Sequence, residues 1–308
     1  MHGAAGRAPG GQGLLGTVHE RSRRYHRRRV ATVAGVSVAA VLAAGVPFVF
    51  ARVTGPEPIM PPAAGDDPAT VRLADGWVAP RFPYTLPIVD GMRAPVVTAD
   101  AGRLSAFFEA TELVEHADVT VTVSGDEPPV TEGATEKTIT VRGQAGSLRT
   151  VDVRPARQLA LVWRESPGRW IQLATDDTYT TPRVVALAES LSGASIPVQP
   201  PFDLARSPAG LVTDTVSASR MTFRAPGAST AGFRTVLRER QPLAGADRTV
   251  GASAAALTRT AGTVTLAVDV PDWNATLEVT VGDGLTISDA DLLTYAEGVR
   301  ILNRSDPE

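Results

Sequence analysis

The sequence predicts an α+β protein: an N-terminal transmembrane helix followed by two similar lobes, each an antiparallel curved sheet with a C-terminal helix. Three observations predict it. An uncharged apolar run, Val30 to Ala51, directly follows a cluster of arginines. A faint internal repeat of about 110 residues divides the rest of the chain, a period that suits duplicated domains rather than a solenoid. Each repeat reads as several strands and then one capped helix.

The apolar run comes first. Twenty-two helical residues rise about 1.5 Å each and span ~33 Å, enough for a ~30 Å hydrocarbon core. Residues 1–29 hold seven arginines against one acid, Glu20, although the whole chain carries a net charge of −3. Arg21, Arg23, Arg24, Arg27, Arg28 and Arg29 precede the run and Arg52 closes it. The positive-inside rule then places 1–29 in the cytoplasm and the C-terminal mass outside, on a single-pass signal anchor in the cell membrane. A cleaved signal peptide is the alternative. Its apolar region is usually ~7–15 residues, and no small-x-small site follows cleanly here. The residues after Arg23-Arg24 are basic, which disfavours a twin-arginine signal. Beside a membrane helix, topology and anionic headgroups explain the arginines better than nucleic-acid binding does. Gly11-Gln12-Gly13-Leu14-Leu15-Gly16 spells G-x-G-x-x-G, but no strand precedes it and no βαβ unit follows, so it reads as a flexible stretch.

Residues 52–78 contain Pro56, Pro58, Pro61, Pro62 and Pro68 and read as an extended spacer. Lobe 1 is expected over 79–199 and lobe 2 over 200–308. Tyr84-Thr85-Leu86 corresponds to Phe202-Asp203-Leu204, and Gly102-Arg103-Leu104-Ser105 to Ser219-Arg220-Met221-Thr222. At an offset of 108, Trp170 aligns with Glu278, Val184 with Leu292, Val185 with Leu293, Ala188 with Ala296 and Glu189 with Glu297. In the first repeat, strands are expected at Asp118–Ser124, Thr138–Arg142, Ser147–Val153, Gln158–Glu165 and Arg169–Thr175. Ser166-Pro167-Gly168 joins the last two as a hairpin. Thr181 as N-cap, Pro182 at the first helical position, an apolar stripe of Val184, Val185, Ala188 and Leu191, and Gly193 as the stop define a helix. The second repeat has strands at Met221–Arg224, Phe233–Arg240, Thr263–Val270 and Ala275–Val281. Its helix is capped by Ser288, with Asp289 and Asp291 in the first turn and Leu292, Leu293, Ala296 and Val299 as the stripe.

The segment Leu159-Ala160-Leu161-Val162-Trp163-Arg164-Glu165-Ser166-Pro167-Gly168-Arg169-Trp170, then Leu173, then Val184-Val185-Ala186-Leu187-Ala188-Glu189-Ser190-Leu191, resembles the end of small extracytoplasmic domains of bacterial sigma-factor regulators. These are similar to the half-barrels of the lipoprotein-carrier and periplasmic sigma-regulator superfamily. The likeness covers about 35 residues of the first repeat and about 20 of the second. The arginine-rich start and single span also resemble actinobacterial membrane proteins associated with extracytoplasmic-function sigma factors. The resemblance implies an extracytoplasmic half-barrel fold and, inside the cell, a sigma factor as partner. Residues 1–29 depart from it, because they are too few for a helical sigma-binding domain and lack the cysteine of a zinc motif.

Little in the sequence points to chemistry. Without cysteine there is no disulfide, thiolate zinc site or cysteine nucleophile. Beyond the membrane run the one histidine is His116. Glu115-His116-Ala117-Asp118 hints at part of a triad, but no G-x-S-x-G elbow accompanies it. Ala134 stands three residues before Lys137, which removes Ser-x-x-Lys chemistry. Asp66-Asp67 lies in the spacer, Asp176-Asp177 at a strand-to-helix turn, and Asp289 and Asp291 at a helix start. Two adjacent acids supply too few ligands for calcium. Trp163 and Trp170 flank the hairpin with opposite strand parity; core packing is expected for both, with one of them as the candidate for touching a ligand. No catalytic residue, cofactor or metal is therefore expected, and the binding residues stay unassigned. The expected function is a non-enzymatic, membrane-anchored extracytoplasmic protein that binds a protein or an apolar or lipid ligand. The alternatives are an envelope-signal regulator of a sigma factor and an unrecognised hydrolase.

Overall fold

From Val96 onward, runs that alternate apolar and polar residues recur, and each such run is a strand. The computed structural model describes residues 69–87, 91–111, 116–153 and 156–308. Fourteen strands form one antiparallel sheet. The first seven are β1 (Val96–Asp100), β2 (Arg103–Phe108), β3 (Val119–Ser124), β4 (Thr135–Val141), β5 (Gln144–Val153), β6 (Ala156–Ser166) and β7 (Arg169–Asp176). The others are β8 (Val212–Val216), β9 (Arg220–Arg224), β10 (Phe233–Glu239), β11 (Arg248–Val250), β12 (Ser253–Thr260), β13 (Thr263–Val270) and β14 (Ala275–Val281). Outward from the centre, one half runs β1-β2-β3-β7-β6-β5-β4 and the other β8-β9-β10-β14-β13-β12-β11. The same strand order thus occurs twice.

The halves meet where Ala99 of β1 pairs with Val216 of β8. Ala99 also opposes Leu104, and Val216 opposes Met221, so the two residues occupy the same place in their halves. The joint has the self-complementary form of a two-fold dimer contact, made within one chain. Beside it, the Gly102 N–H donates to the Asp214 carbonyl and the Ala101 N–H to the Thr215 hydroxyl.

One face of the sheet is apolar and covered. Along β7, Ile171 and Leu173 are fully buried while Trp170, Gln172 and Ala174, on the other face, are partly so. Helix α1 (Thr181–Glu189) lies against β4 and β7 and buries Val184 and Ala188. Helix α2 (Asp289–Glu297) lies against β11 and buries Leu292, Tyr295 and Ala296. A two-stranded ribbon adds to each cover: Arg81–Thr85 with Ser192–Pro197, and Phe202–Leu204 with Val299–Ile301. Thr85 opposes Ser192 as Asp203 opposes Arg300, so Tyr84 and Phe202 are counterparts, as are Leu86 and Leu204; all four are buried.

The helix ends differ. The Ser288 hydroxyl accepts the Asp291 N–H at 3.1 Å and caps α2. In α1 the cap position belongs to Thr180, so Thr181 and Pro182 open the helix. Gly193 lies in the ribbon rather than ending α1. Arg142 closes that helix instead, its guanidinium donating to the carbonyls of Ala188, Glu189 and Leu191 at 3.4, 3.4 and 2.8 Å.

These findings correct the α+β expectation. The described residues are mostly β, their two α-helices nine residues each, and the two arrays share one fourteen-stranded sheet in place of a separate sheet in each lobe. The physical reason is edge pairing: β1 and β8 each present an outward backbone edge, and the two edges meet at Ala99 and Val216, with Gln199 taking the Val97 carbonyl beside them. No helix among the described residues is long and apolar enough to cross a membrane. The transmembrane helix expected over 30–51 and the basic segment 1–29 lie outside the described residues. The end of the expected spacer is no free linker: Leu73–Asp75 pairs with Arg206–Pro208, and Ala69–Thr70 with Leu285–Thr286.

Candidate interaction surface

The residues singled out for chemistry are dispersed. His116 Nδ1 lies 3.4 Å from the Tyr179 hydroxyl, whereas the Asp118 carboxylate accepts the Ala110 N–H at 2.9 Å. Asp176 accepts the Thr178 N–H at 2.9 Å, which builds the turn into α1. Asp289 pairs with Arg259, and Asp291 accepts the Ser288 hydroxyl at 2.7 Å. Among the described residues, no three His, Cys, Asp or Glu side chains gather as they would around a metal ion. Asp66 and Asp67 lie outside the described residues.

The two tryptophans part company across the sheet. Trp163 opposes Ile171 on the covered face and is fully buried. It fits because its neighbour on β5 is Gly146, where a Cβ would come within 2.8 Å of the Val162 carbonyl and 3.3 Å of the Trp163 Cβ. Its indole N–H is buried without a partner. Trp170 stands on the opposite, open face, half-buried.

Strand register builds that open face. Thr98 opposes Ser105, Ser105 opposes Thr122, and Thr122 opposes Gln172, a polar row across β1, β2, β3 and β7. The Ser105 and Thr122 hydroxyls are 2.9 Å apart and hydrogen-bonded. Next to it runs Val96, Phe107, Thr120 and Ala174. Neither row contains a charge. Trp170 borders the first row, two residues before Gln172, with the exposed Arg164 opposite it. Farther out, the segment 127–129 is tied down by the buried Arg149, which donates to Glu127 at 2.8 Å, Glu136 at 2.6 Å and the Pro128 carbonyl at 2.7 Å.

The second half fills the same places differently. Matching registers set Thr122 against Arg234, Phe107 against Arg224 and Trp170 against Glu278. Arg234 pairs with Asp283 at 2.9 Å, Arg224 with Asp214 at 3.3 Å and Glu278 with Arg238 at 3.0 Å. Glu308 extends this network to Arg220 and Ser219; burial pushes its carboxyl up, but those hydrogen bonds outweigh burial and hold it below the usual carboxylate range. On the covered face, burial and the Glu165 carboxylate, 2.7 Å away, push the Tyr84 phenol up. The first-half rows thus offer hydroxyls, an amide and the apolar Val96, Phe107 and Ala174, and Trp170 adds an indole at their border; these groups bind but do not exchange protons near neutral pH. Sequence reasoning left these residues unassigned because they come from four strands separated by up to about 75 positions; the parity of Trp170 was the one available signal.

No protein family, curated protein or solved structure matches the chain.

Proposed function

We propose that the protein is a non-enzymatic, membrane-anchored binding protein of the cell envelope, and that its ligand docks on the open face of the first half. The observation that carries this reading is the difference between equivalent positions. Both halves have the same strand order and the same need for a buried core. Ion pairs at Arg224, Arg234 and Glu278 keep the second open face solvated. Phe107, Thr122 and Trp170 stand at the same places in the first half. A large aromatic bordering two uncharged rows, with Arg164 opposite it, is the composition of a recognition patch. The apolar faces are occupied by the chain's own helices and ribbons, so a ligand meets the polar side. The arginine-flanked run 30–51 supports the tether and its outward orientation.

The test compares full-length protein carrying Trp170→Ala or Glu278→Ala with wild type, each purified from its own cells, by mass spectrometry of co-purifying material. Loss of a specific companion in Trp170→Ala alone is expected. The same companion in both variants at wild-type levels contradicts the assignment of the face.

A further inference from the structure

We infer that the first-half face takes a neutral polysaccharide chain laid across the strands; this rests on the binding reading above and names its ligand class. The size of the patch is the first argument. Four strands at about 4.8 Å spacing and two rows make a patch of roughly 200 Å², against the ~800 Å² per partner of a standard protein interface. A narrow linear ligand fits where a protein surface would overhang onto the charged surroundings.

The spacing of the row is the second argument. Thr98, Ser105, Thr122 and Gln172 recur once per strand, about every 4.8 Å, close to the length of one sugar ring in an extended chain. Each step presents a hydroxyl or amide that both donates and accepts, as sugar hydroxyls require. Trp170 beside the row offers an indole face, and the C–H face of a pyranose stacks on such a ring because the ring's negative face attracts polarised C–H bonds. The absence of charge from both rows is the third argument. An anionic polymer would call for arginines along the rows; the first half has none within them and sets Arg164 at their border, opposite Trp170, while Arg224 and Arg234 of the other half are each held by an acid.

The probes are four soluble polysaccharides, a linear β-glucan, a mannan, a galactan and a xylan, with dextran sulfate as the anionic control. Full-length protein in detergent is run through native gels containing each. We expect retardation by at least one neutral polymer, weakened about ten-fold by Trp170→Ala, largely kept by Trp170→Phe and unaffected by Glu278→Ala. Retardation by dextran sulfate alone, by no polymer, or equally in Trp170→Ala overturns the ligand class. If the class fails while a companion still leaves with Trp170→Ala in the purification above, the face stands and its ligand is of another kind.

Discussion

Ala99 and Val216 are partners across the centre of the sheet and counterparts in its two halves. Both are buried, at 3% and 0% exposure, so this single pair anchors the apolar face where the halves join.

Introducing a carboxylate there is therefore expected to be costly from either side. Ala99→Asp and Val216→Asp should each lower stability by roughly 3 kcal/mol or more, since both sites are buried and lie opposite the apolar Leu104 and Met221. Denaturant unfolding measures this; wild-type midpoints would mean that the halves do not depend on the seam.

The helical stripes give a graded prediction. Val184 and Leu292 are fully buried, whereas Val185 and Leu293, one residue on, are only partly so. Leu292→Ala should cost about 2–5 kcal/mol, and Val184→Asp should exceed Val185→Asp in damage. Thermal melts of these three variants check the ranking.

Arg142 closes α1 through three carbonyls and also faces Glu165 at 3.4 Å. Arg142→Ala should cost about 1–2 kcal/mol, and Arg142→Lys should not restore it, because Nη1 meets the carbonyls while Nε faces Glu165, and a single ammonium nitrogen cannot stand at both places. Unfolding curves of both variants decide it.

Tyr295 donates or accepts a 2.7 Å hydrogen bond with Thr235 in the core, and burial pushes its phenol far above the ordinary value of 10.0. The unfolded chain loses this proton first, so stability is full below about pH 10 and falls as pH rises beyond it. Tyr295→Phe should cost about 1–3 kcal/mol at neutral pH by orphaning Thr235, and should flatten the alkaline fall. Melting temperature against pH, from 7 to 11, shows both effects.

The local elements were legible in the sequence. Thr263–Val270 and Ala275–Val281 are strands with those bounds, and the Ser288 cap opens α2. These signals are local: alternation, caps and turn residues act within a few positions. What was not legible is pairing between distant edges. β1 and β8 are short and made of Val, Thr, Ala and Asp, a pattern equally suited to an outer edge, and nothing in either names the other as partner. α1 ends early for a similar reason, since Arg142 reaches it from 46 or more positions away. The polar row is hidden in sequence too, because it exists only across strands.

The central claim is that the open face of the first half, and not its counterpart, meets the ligand. A photo-crosslinking amino acid at Arg164, opposite Trp170, and separately at Ala267, opposite Glu278, tests it in the cells that make the full chain. Illumination is expected to give a specific adduct from position 164 and none from 267. An adduct from 267 alone, or none from 164, contradicts the account.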